Sequence, residues 1–396
     1  MTSASETRRG SGVASARSLR DVEQIRAKHA PMDLPFFLLV LMLLSIGVIM
    51  VLSASFASAY YDITRVTGGN PTHYFLRQAI FAIVGILAML VVSRFPSTFY
   101  RRIALPLMIG TIVLLAMVLL IGVEGGGARR WISLGFTTFQ PSEFAKPAVV
   151  LLFAQMACVY QDKMTTFRYG VLPFAIILLP IVGLLALQPH LSAIVIIVSV
   201  GAMMMFLGGT RLAYFIVGLG GLSAFGFWFL QQFGHASARI VAWRNPFDDP
   251  QGAGWQIIQS LYAIGSGGVL GLGLGASRQK YLYLPEEHND FIFAIVAEEL
   301  GFVGAGFILV LFSLLILRGF WIALHAQTKF ASLTAAGMSA MLAVQVFLNV
   351  GVVTNLLPPT GISLPFFSYG GTALLFQLAC MGVILGISRE IPAKPV

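Results

Sequence analysis

The chain has 396 residues, of which 57% are hydrophobic and 10% are charged, and its formal net charge is +9. Soluble domains carry about a quarter charged residues, so this composition excludes an ordinary water-soluble globular protein. Apolar runs of about 20 residues recur along the chain, and each is long enough to cross roughly 30 Å of hydrocarbon. The sequence therefore predicts an all-α polytopic membrane protein.

The predicted elements, in chain order, are a polar tail, ten transmembrane helices and a second short tail. Residues 1–31 are rich in Arg and Ser without an apolar period, which predicts a disordered cytoplasmic tail. The membrane domain is predicted over residues 32–389, and a short cytoplasmic tail over residues 390–396. The ten helices are predicted at residues 35–56, 75–94, 103–122, 143–161, 169–187, 190–208, 212–233, 291–317, 331–354 and 366–387. Between the fifth and sixth helices, Gln188, Pro189 and His190 indicate either a tight hairpin or a broken helix.

Lys and Arg residues are distributed unequally between the two sides of the predicted bundle. With the N-terminus inside, sixteen fall in cytoplasmic segments, eight fall in outer loops, and Lys146 lies within a helix. Basic residues concentrate in the cytoplasmic loops of membrane proteins, so both termini are predicted to be cytoplasmic. Residues 234–290 are then a large extracytoplasmic loop between the seventh and eighth helices. The same bias explains the net charge without nucleic-acid binding.

Acidic residues concentrate in and just after this outer loop. Seven of the sixteen Asp and Glu residues lie within 248–299, and they are Asp248, Asp249, Glu286, Glu287, Asp290, Glu298 and Glu299. Charge near lipid is costly and is kept where it is used, so this segment is predicted to be functional. Asp290 directly precedes the eighth helix. Partial desolvation there would raise its pKa and favour a role as a general base.

The same acidic segment contains a candidate metal cluster, formed by Glu286, Glu287, His288 and Asp290. Mg²⁺ and Mn²⁺ prefer carboxylate and water ligands, so a divalent cation is a candidate cofactor, and no organic cofactor is predicted. The alternative is a solvated charged loop.

Two further groups of charged residues lie near the fourth helix. Glu143 and Lys146 are three residues apart, so they share a helix face and can pair, with the pair directed into the bundle. They are either a structural ion pair or part of substrate binding or partner coupling. Arg130 lies in the preceding outer loop, and Arg suits bidentate contact with phosphate. The alternative for Arg130 is a solvated or headgroup-anchored surface.

Two segments are rich in residues that interrupt regular helices. The six glycines between Gly265 and Gly275 predict a closely packed or re-entrant segment, with a flexible loop as the alternative. The run from Asn355 to Thr372 holds three prolines and three glycines and breaks the helix before the tenth span. Irregular backbone near a membrane must be covered by protein or line a cavity. We therefore expect this run to form one wall of a site facing the outer loop.

Four motifs stand out along the chain: GARRWISLGFTTFQPSEFAKP at 127–147, WRNPFDDPQGAGWQIIQSLYAIGSGGVLGLGLGASRQKYLYLPEEHNDFIFAIVAEELG at 243–301, NVGVV at 349–353 and LPPTGISLPFFSYGG at 357–371. Together they resemble the SEDS family, the bacterial shape, elongation, division and sporulation proteins such as FtsW, RodA and SpoVE. The resemblance covers nearly all of residues 35–389. SRQK at 277–280 and the following YLPE are nearer FtsW and SpoVE, which favours division or sporulation. The family usually has QPDLGT where this chain has QPHLSA at 188–193, so the role of that position is not transferred.

The resemblance implies a peptidoglycan glycosyltransferase that polymerises lipid II, a disaccharide-pentapeptide on undecaprenyl pyrophosphate, at the outer membrane face. By its HxDFIFA context, Asp290 matches the family's essential loop aspartate. Glu143 and Lys146 match its fourth-helix pair, which is linked to the membrane cavity and to activation. The implied partners are a class B penicillin-binding transpeptidase and other divisome membrane proteins.

The expected chemistry is an inverting transfer, because the donor bond is α and the polymer bond is β-1,4. Asp290 is predicted to be the base, or to orient the attacking hydroxyl. The candidate substrate-binding residues, with a divalent cation for the pyrophosphate, are Arg130, Arg278, Lys280 and His288. A lipid II flippase is one alternative and would use intramembrane charges such as Glu143 and Lys146. A non-catalytic scaffold is another and would tolerate Asp290→Asn.

Overall fold

Helices dominate the computed structural model, which describes residues 31–62, 67–125, 128–135, 137–218, 220, 243–252 and 254–392. The helices with both ends in these ranges are α1 Leu34–Tyr61, α2 His73–Val92, α3 Ser97–Ile121, α4 Pro141–Val159, α5 Phe167–Gly170, α6 Leu172–Leu187, α7 Leu191–Gly208, α8 Trp255–Gly267, α9 Ile292–His325, α10 Lys329–Val353 and α11 Gly371–Arg389. Three short strands, β1 Val123–Gly125, β2 Ala128–Ser133 and β3 Thr138–Phe139, form an antiparallel sheet in that order.

Nine spans in the described part of the chain are long and apolar enough to cross a membrane, with α5 and α6 together forming one of them. They confirm nine of the ten predicted transmembrane helices. The seventh, predicted at 212–233, is helical at 212–218 and 220 and otherwise lies outside the described residues. Residues 1–30 of the predicted tail also lie outside them.

The core of the bundle lies around α10 and α11. In each of these helices 72% of the residues in the 18-residue apolar stretch are buried, compared with 22% in α2. Small residues allow close helix contacts, as they do in many membrane proteins. A Cβ on Gly337 of α10 would lie 2.7 Å from Val150 Cγ1 of α4, and a Cβ on Gly382 of α11 would lie 2.6 Å from Met89 O of α2.

A polar contact fixes α1 against α9 at the end opposite the outer loop. Asp33 caps α1 by accepting a hydrogen bond from Phe36 N at 2.9 Å. The same carboxylate pairs with Arg318 of α9, with Nη2–Oδ2 at 2.7 Å and Nε–Oδ1 at 3.0 Å. Bidentate Arg–carboxylate pairs are geometrically specific, so this contact sets the position of α1 relative to α9.

Residues 188–190 form a tight hairpin turn, which decides between the two predicted arrangements. α6 ends at Leu187, α7 begins at Leu191, and the two helices pack together. The sheet covers this turn, because Arg130 of β2 donates from Nη2 to Pro189 O at 2.6 Å and from Nε to Gln188 O at 3.4 Å.

The glycine-rich segment after α8 packs into a break in α9. Gly301 has φ +68° and ψ −172°, which interrupts the helix. The carbonyls of Glu298 and Glu299 accept hydrogen bonds from Leu272 N and Gly273 N, both at 3.0 Å. A Cβ on Gly301 would lie 2.2 Å from a backbone nitrogen of this segment, so only glycine fits there. The predicted close packing of the segment is confirmed, and the flexible-loop alternative is wrong.

Candidate functional site

Asp290 lies two residues before α9, in a backbone segment that is clamped by three donors. The three successive carbonyls of residues 288–290 accept hydrogen bonds, in order, from Tyr369 N at 2.9 Å, Ser368 Oγ at 2.6 Å and Asn349 Nδ2 at 2.7 Å. Two of the donors lie in the irregular run before α11, and the third lies on α10. These bonds fix the backbone and leave the Asp290 side chain outside the clamp.

The irregular run from 355 to 370 forms a wall beside Asp290, as the sequence predicts. Asn349 Nδ2 also donates to Ile362 O at 2.7 Å, which ties the run to α10. A Cβ on Gly361, which has φ +71°, would lie 3.5 Å from Asp290 Oδ2. On its other side, the run packs against α1, where a Cβ on Gly47 would contact the Phe366 carbonyl.

The environment of Asp290 makes its carboxyl a weak acid. Burial raises the pKa to about 7 from an ordinary value of 3.8, and the negative charge of Glu286 adds to the increase. A hydrogen bond from the backbone N–H of Asp290 acts in the opposite direction, as does the positive charge that the His288 ring carries when it is protonated. A carboxyl with this pKa exchanges a proton near neutral pH, as a general base requires.

His288 and Glu287 lie beside Asp290 and contact two membrane helices. The His288 ring packs on Tyr74 of α2, with centroids 4.6 Å apart and planes 33° apart. Its Nδ1 is 3.4 Å from Glu287 Oε1. Glu287 is buried and accepts a hydrogen bond from Ser58 Oγ of α1.

The carboxylates of the candidate metal cluster point to different partners. Glu286 accepts from Asn289 Nδ2, and Glu287 accepts from Ser58. Within the described ranges, no group of three or more His, Cys, Asp or Glu residues could hold a metal ion. The described residues therefore do not form a metal site from protein ligands alone. Mg²⁺ commonly binds one or two carboxylates together with water and substrate phosphate, so a cation remains a prediction only in that form.

Lys280 is buried in a separate contact and does not lie free for a substrate. Its Nζ pairs with Glu299 Oε1 at 3.0 Å, donates to Gly275 O at 2.6 Å and lies 3.3 Å from Ser53 Oγ. These three contacts use all three ammonium donors. Lys280 thus holds the glycine-rich segment against α1 and α9, and its predicted role as a pyrophosphate ligand is corrected. The side chain of Arg278 is exposed, while its backbone N donates to Glu298 Oε1 at 3.0 Å.

A second polar group occupies the N-terminal end of α4. The predicted Glu143–Lys146 pair is present, with Nζ–Oε2 at 2.7 Å and the side chains 16% and 6% exposed, so it is directed into the protein. Gln140 Nε2 lies 3.2 Å from Nε2 of His190. Burial lowers the pKa of His190 to about 3, and the charges of Arg130 and Lys146 lower it further.

The two polar groups border the same irregular run. α11 begins at Gly371, directly after the run, and its Thr372 Oγ1 donates to Thr138 O of β3 at 3.2 Å. Both groups therefore meet at the C-terminal end of the run, where Ser368 and Tyr369 bind the backbone of residues 288–289 and Thr372 binds β3, the strand that precedes α4.

Several residues of the Asp290 environment were not identified from the sequence. They are Ser58, Tyr74, Asn349, Ser368 and Tyr369. Asn349 carried one signal, because a buried Asn in an apolar helix needs a hydrogen-bond partner, and it begins the NVGVV motif. Ser368 and Tyr369 lie in the LPPTGISLPFFSYGG motif, which indicated the segment but not these two residues, whereas Ser58 and Tyr74 resemble ordinary residues of a transmembrane helix.

Comparison with known proteins places this chain among cell-cycle proteins. The family model of FtsW, RodA and SpoVE, described as cell cycle protein, matches residues 34–392. Stage V sporulation protein E of Bacillus subtilis is 42% identical over 366 residues, covering 91% of this chain and 98% of its own. A probable peptidoglycan glycosyltransferase FtsW of Trichlorobacter lovleyi is 40% identical over 371 residues, covering 93% and 96%.

Solved structures show the same fold. A chain of a peptidoglycan synthase complex, studied for its structural coordination of polymerization and crosslinking, superposes with a TM-score of 0.76 at 30% identity, covering 91% of this chain and 98% of its own. The rod shape determining protein RodA of Thermus thermophilus has a TM-score of 0.66 at 28% identity, covering 92% and 98%. With the match over residues 34–392, these likenesses show that the chain is a multi-pass membrane protein of the FtsW, RodA and SpoVE family.

Proposed function

We propose that this chain is an inverting peptidoglycan glycosyltransferase that polymerises lipid II into glycan strands, in cell division or sporulation. Relatives named as FtsW glycosyltransferases and as a sporulation protein support the reaction and its setting. The observation that carries the proposal is Asp290, a partly buried carboxyl with a pKa of about 7 on a backbone held by three donors.

In the proposed step, the 4-hydroxyl of an acceptor sugar attacks the anomeric carbon of a donor sugar that is linked to pyrophosphate. The new C–O bond forms as the bond to the pyrophosphate oxygen breaks, and the bonding electrons leave with undecaprenyl pyrophosphate. Asp290 takes the hydroxyl proton. General base assistance of this kind contributes on the order of 10²–10⁴-fold to a rate.

The departing pyrophosphate needs positive charge. The exposed Arg278 side chain and Arg130 are the candidate contacts, and Lys280 is left out because its donors are occupied. A divalent cation, Mg²⁺ or Mn²⁺, would supply further charge neutralisation when bound.

The chain is proposed to lie in the bacterial cytoplasmic membrane with both termini cytoplasmic. The unequal distribution of Lys and Arg supports this orientation, in which Asp290 would lie at the outer face, where the polymer is proposed to be assembled. A class B penicillin-binding transpeptidase is the proposed partner, because one structural relative belongs to a complex that couples polymerization to crosslinking. The buried Glu143–Lys146 pair is proposed to transmit activation by that partner.

The test is lipid II polymerisation in detergent, with glycan strands separated on a gel. Wild type and Asp290→Asn are compared with and without the transpeptidase and a divalent cation. Strands from wild type and none from a folded Asp290→Asn protein are expected. Equal strands from both proteins would refute the role of Asp290, and no strands from wild type under any condition would refute the polymerase.

A lipid II flippase is the second candidate, and the observation that favours it is the ion pair directed into the bundle. Transfer of fluorescent lipid II across proteoliposome membranes separates the two functions. A flippase would lose transfer in Glu143→Gln and keep it in Asp290→Asn, whereas a polymerase would show no transfer that depends on either residue. A scaffold would keep its function in Asp290→Asn and fail only at partner contacts.

A further inference from the structure

Glu287 is a buried carboxylate that the proposed reaction does not use. It is 5% exposed, although it lies on the outer loop three residues before Asp290. Burial of a carboxylate is costly unless hydrogen bonds satisfy its oxygens. The hydroxyl of Ser58 supplies one such bond, and Nδ1 of His288, 3.4 Å away, lies on the same oxygen.

This contact determines which ring nitrogen of His288 carries hydrogen. A ring with its lone pair on Nδ1 would direct that lone pair at the negative oxygen of Glu287, which is repulsive. The proton therefore belongs on Nδ1, where it is donated to the carboxylate. In histidine, the bond made by one nitrogen sets the state of the other, so Nε2 of the neutral ring is an acceptor.

The ring is also held in position from its other sides. The face of the ring packs on Tyr74, and the ring centroid is 5.9 Å from that of Tyr369. The backbone carbonyl of His288 accepts a hydrogen bond from Tyr369 N. Among the described residues, Nε2 is left without a hydrogen-bond partner. His288 thus presents one free acceptor nitrogen two residues from Asp290.

We propose that Glu287 is a positioning residue, which fixes His288 with Nδ1 protonated so that Nε2 accepts a hydrogen bond from a hydroxyl of the bound sugar. This inference rests on the proposed function, because it assigns the sugar of lipid II as the group that His288 contacts. Ser58 completes the arrangement by holding Glu287, and Tyr74 by holding the plane of the ring.

Glu287→Leu removes the acceptor for Nδ1 in a side chain of similar size. An unconstrained histidine side chain prefers its proton on Nε2, so His288 is expected to change tautomer and lose its free acceptor. A lost hydrogen bond to the substrate is expected to lower kcat/KM about tenfold, mainly through KM. Glu287→Gln keeps a carbonyl oxygen for Nδ1 and is expected to retain most of the activity. The matched control is Glu124→Leu, at an exposed position of β1, which is expected to match wild type.

The tautomer is read separately from activity by ¹⁵N resonances of labelled histidine, with His288 assigned by comparison with His288→Gln. Wild type is expected to show a protonated Nδ1 and an unprotonated Nε2, and this result needs no Glu287 variant to fold. The opposite tautomer in wild type, or unchanged kcat/KM in Glu287→Leu, would overturn the inference. Absence of strands from wild type would instead overturn the proposed function, while the tautomer still decides whether Glu287 positions the ring.

Discussion

Replacing Asp290 by Asn is expected to abolish strand synthesis and to stabilise the fold more strongly as pH rises. A carboxyl with a pKa of about 7 in the folded chain and 3.8 in the unfolded chain opposes folding when ionised. Each pH unit between these values corresponds to about 1.4 kcal/mol, so the full cost is about 4 kcal/mol. The direction of the pH effect follows because the pKa of this acid is higher in the folded chain than in the unfolded chain. Wild-type stability is greatest below pH 3.8, declines as pH rises towards 7 and is level above 7.

The assay is thermal unfolding of purified wild type and Asp290→Asn in detergent over a pH series, with strand synthesis measured in parallel. The difference in unfolding free energy between the two proteins is expected to widen by about 3 kcal/mol from about pH 5 to about pH 8. Wild-type activity is expected to rise over the same range, as Asp290 loses its proton. A difference that does not change with pH would refute the reasoning, because it would mean that the Asp290 carboxyl is not desolvated in the folded chain.

Three further perturbations test the surroundings of the site. Lys280→Met leaves Glu299 buried without its cation and is expected to cost about 3–5 kcal/mol of unfolding free energy, and the double variant with Glu299→Gln should recover part of it. Gly301→Ala places a Cβ 2.2 Å from Gly271 N at a φ of +68°, so a lower melting temperature and lower folded yield are expected. Glu286→Gln removes a negative charge that raises the pKa of Asp290, so the acidic limb of the pH–activity profile should move to lower pH.

Two of these perturbations, Gly301→Ala and Glu286→Gln, have a matched control in the chain. Gly306 lies in the same helix as Gly301, and a Cβ added there would meet open space. Gly306→Ala should therefore leave the stability of the fold unchanged or increase it. Glu124 is exposed, so Glu124→Gln should leave the pH–activity profile unchanged. Equal effects of Gly301→Ala and Gly306→Ala would contradict the proposed packing at the break in α9. An unchanged melting temperature in Lys280→Met would contradict its structural role.

Apolar length predicted the transmembrane helices well and their ends less well. The third helix is predicted from residue 103, but α3 begins at Ser97, because Arg101 and Arg102 lower the hydropathy while the backbone stays helical. The eighth is predicted to end at 317, whereas α9 continues to His325. The strands of 2–6 residues in the loop before α4 show no readable period, so the sheet was not predicted.

The site was predicted unevenly for a physical reason. Asp290 was identified by its chemistry at a membrane surface and by resemblance, and both of these are local in sequence. The residues that clamp its backbone lie about 60–80 positions away, and no periodicity links such distant donors and acceptors. Lys280 was misassigned because charge alone does not show whether a side chain is already paired. Only the fold brings Glu299 to it.

Two acids, Asp290 just before α9 and Glu299 within its first part, show how the fold separates a structural role from a chemical one. Glu299 is buried and saturated, since it binds Lys280 and the hydroxyl of Ser53, and such a pair can hold elements together but has no free oxygen for a substrate. Asp290 has the opposite arrangement, because Asn349 binds its backbone carbonyl and, in the part of the chain that the structure describes, no Lys or Arg forms an ion pair with its carboxyl. Burial without a counter-charge raises the pKa of Asp290, and a raised pKa makes a carboxylate a better base. The same membrane-proximal position therefore gives one acid a structural role and makes the other suitable for proton transfer.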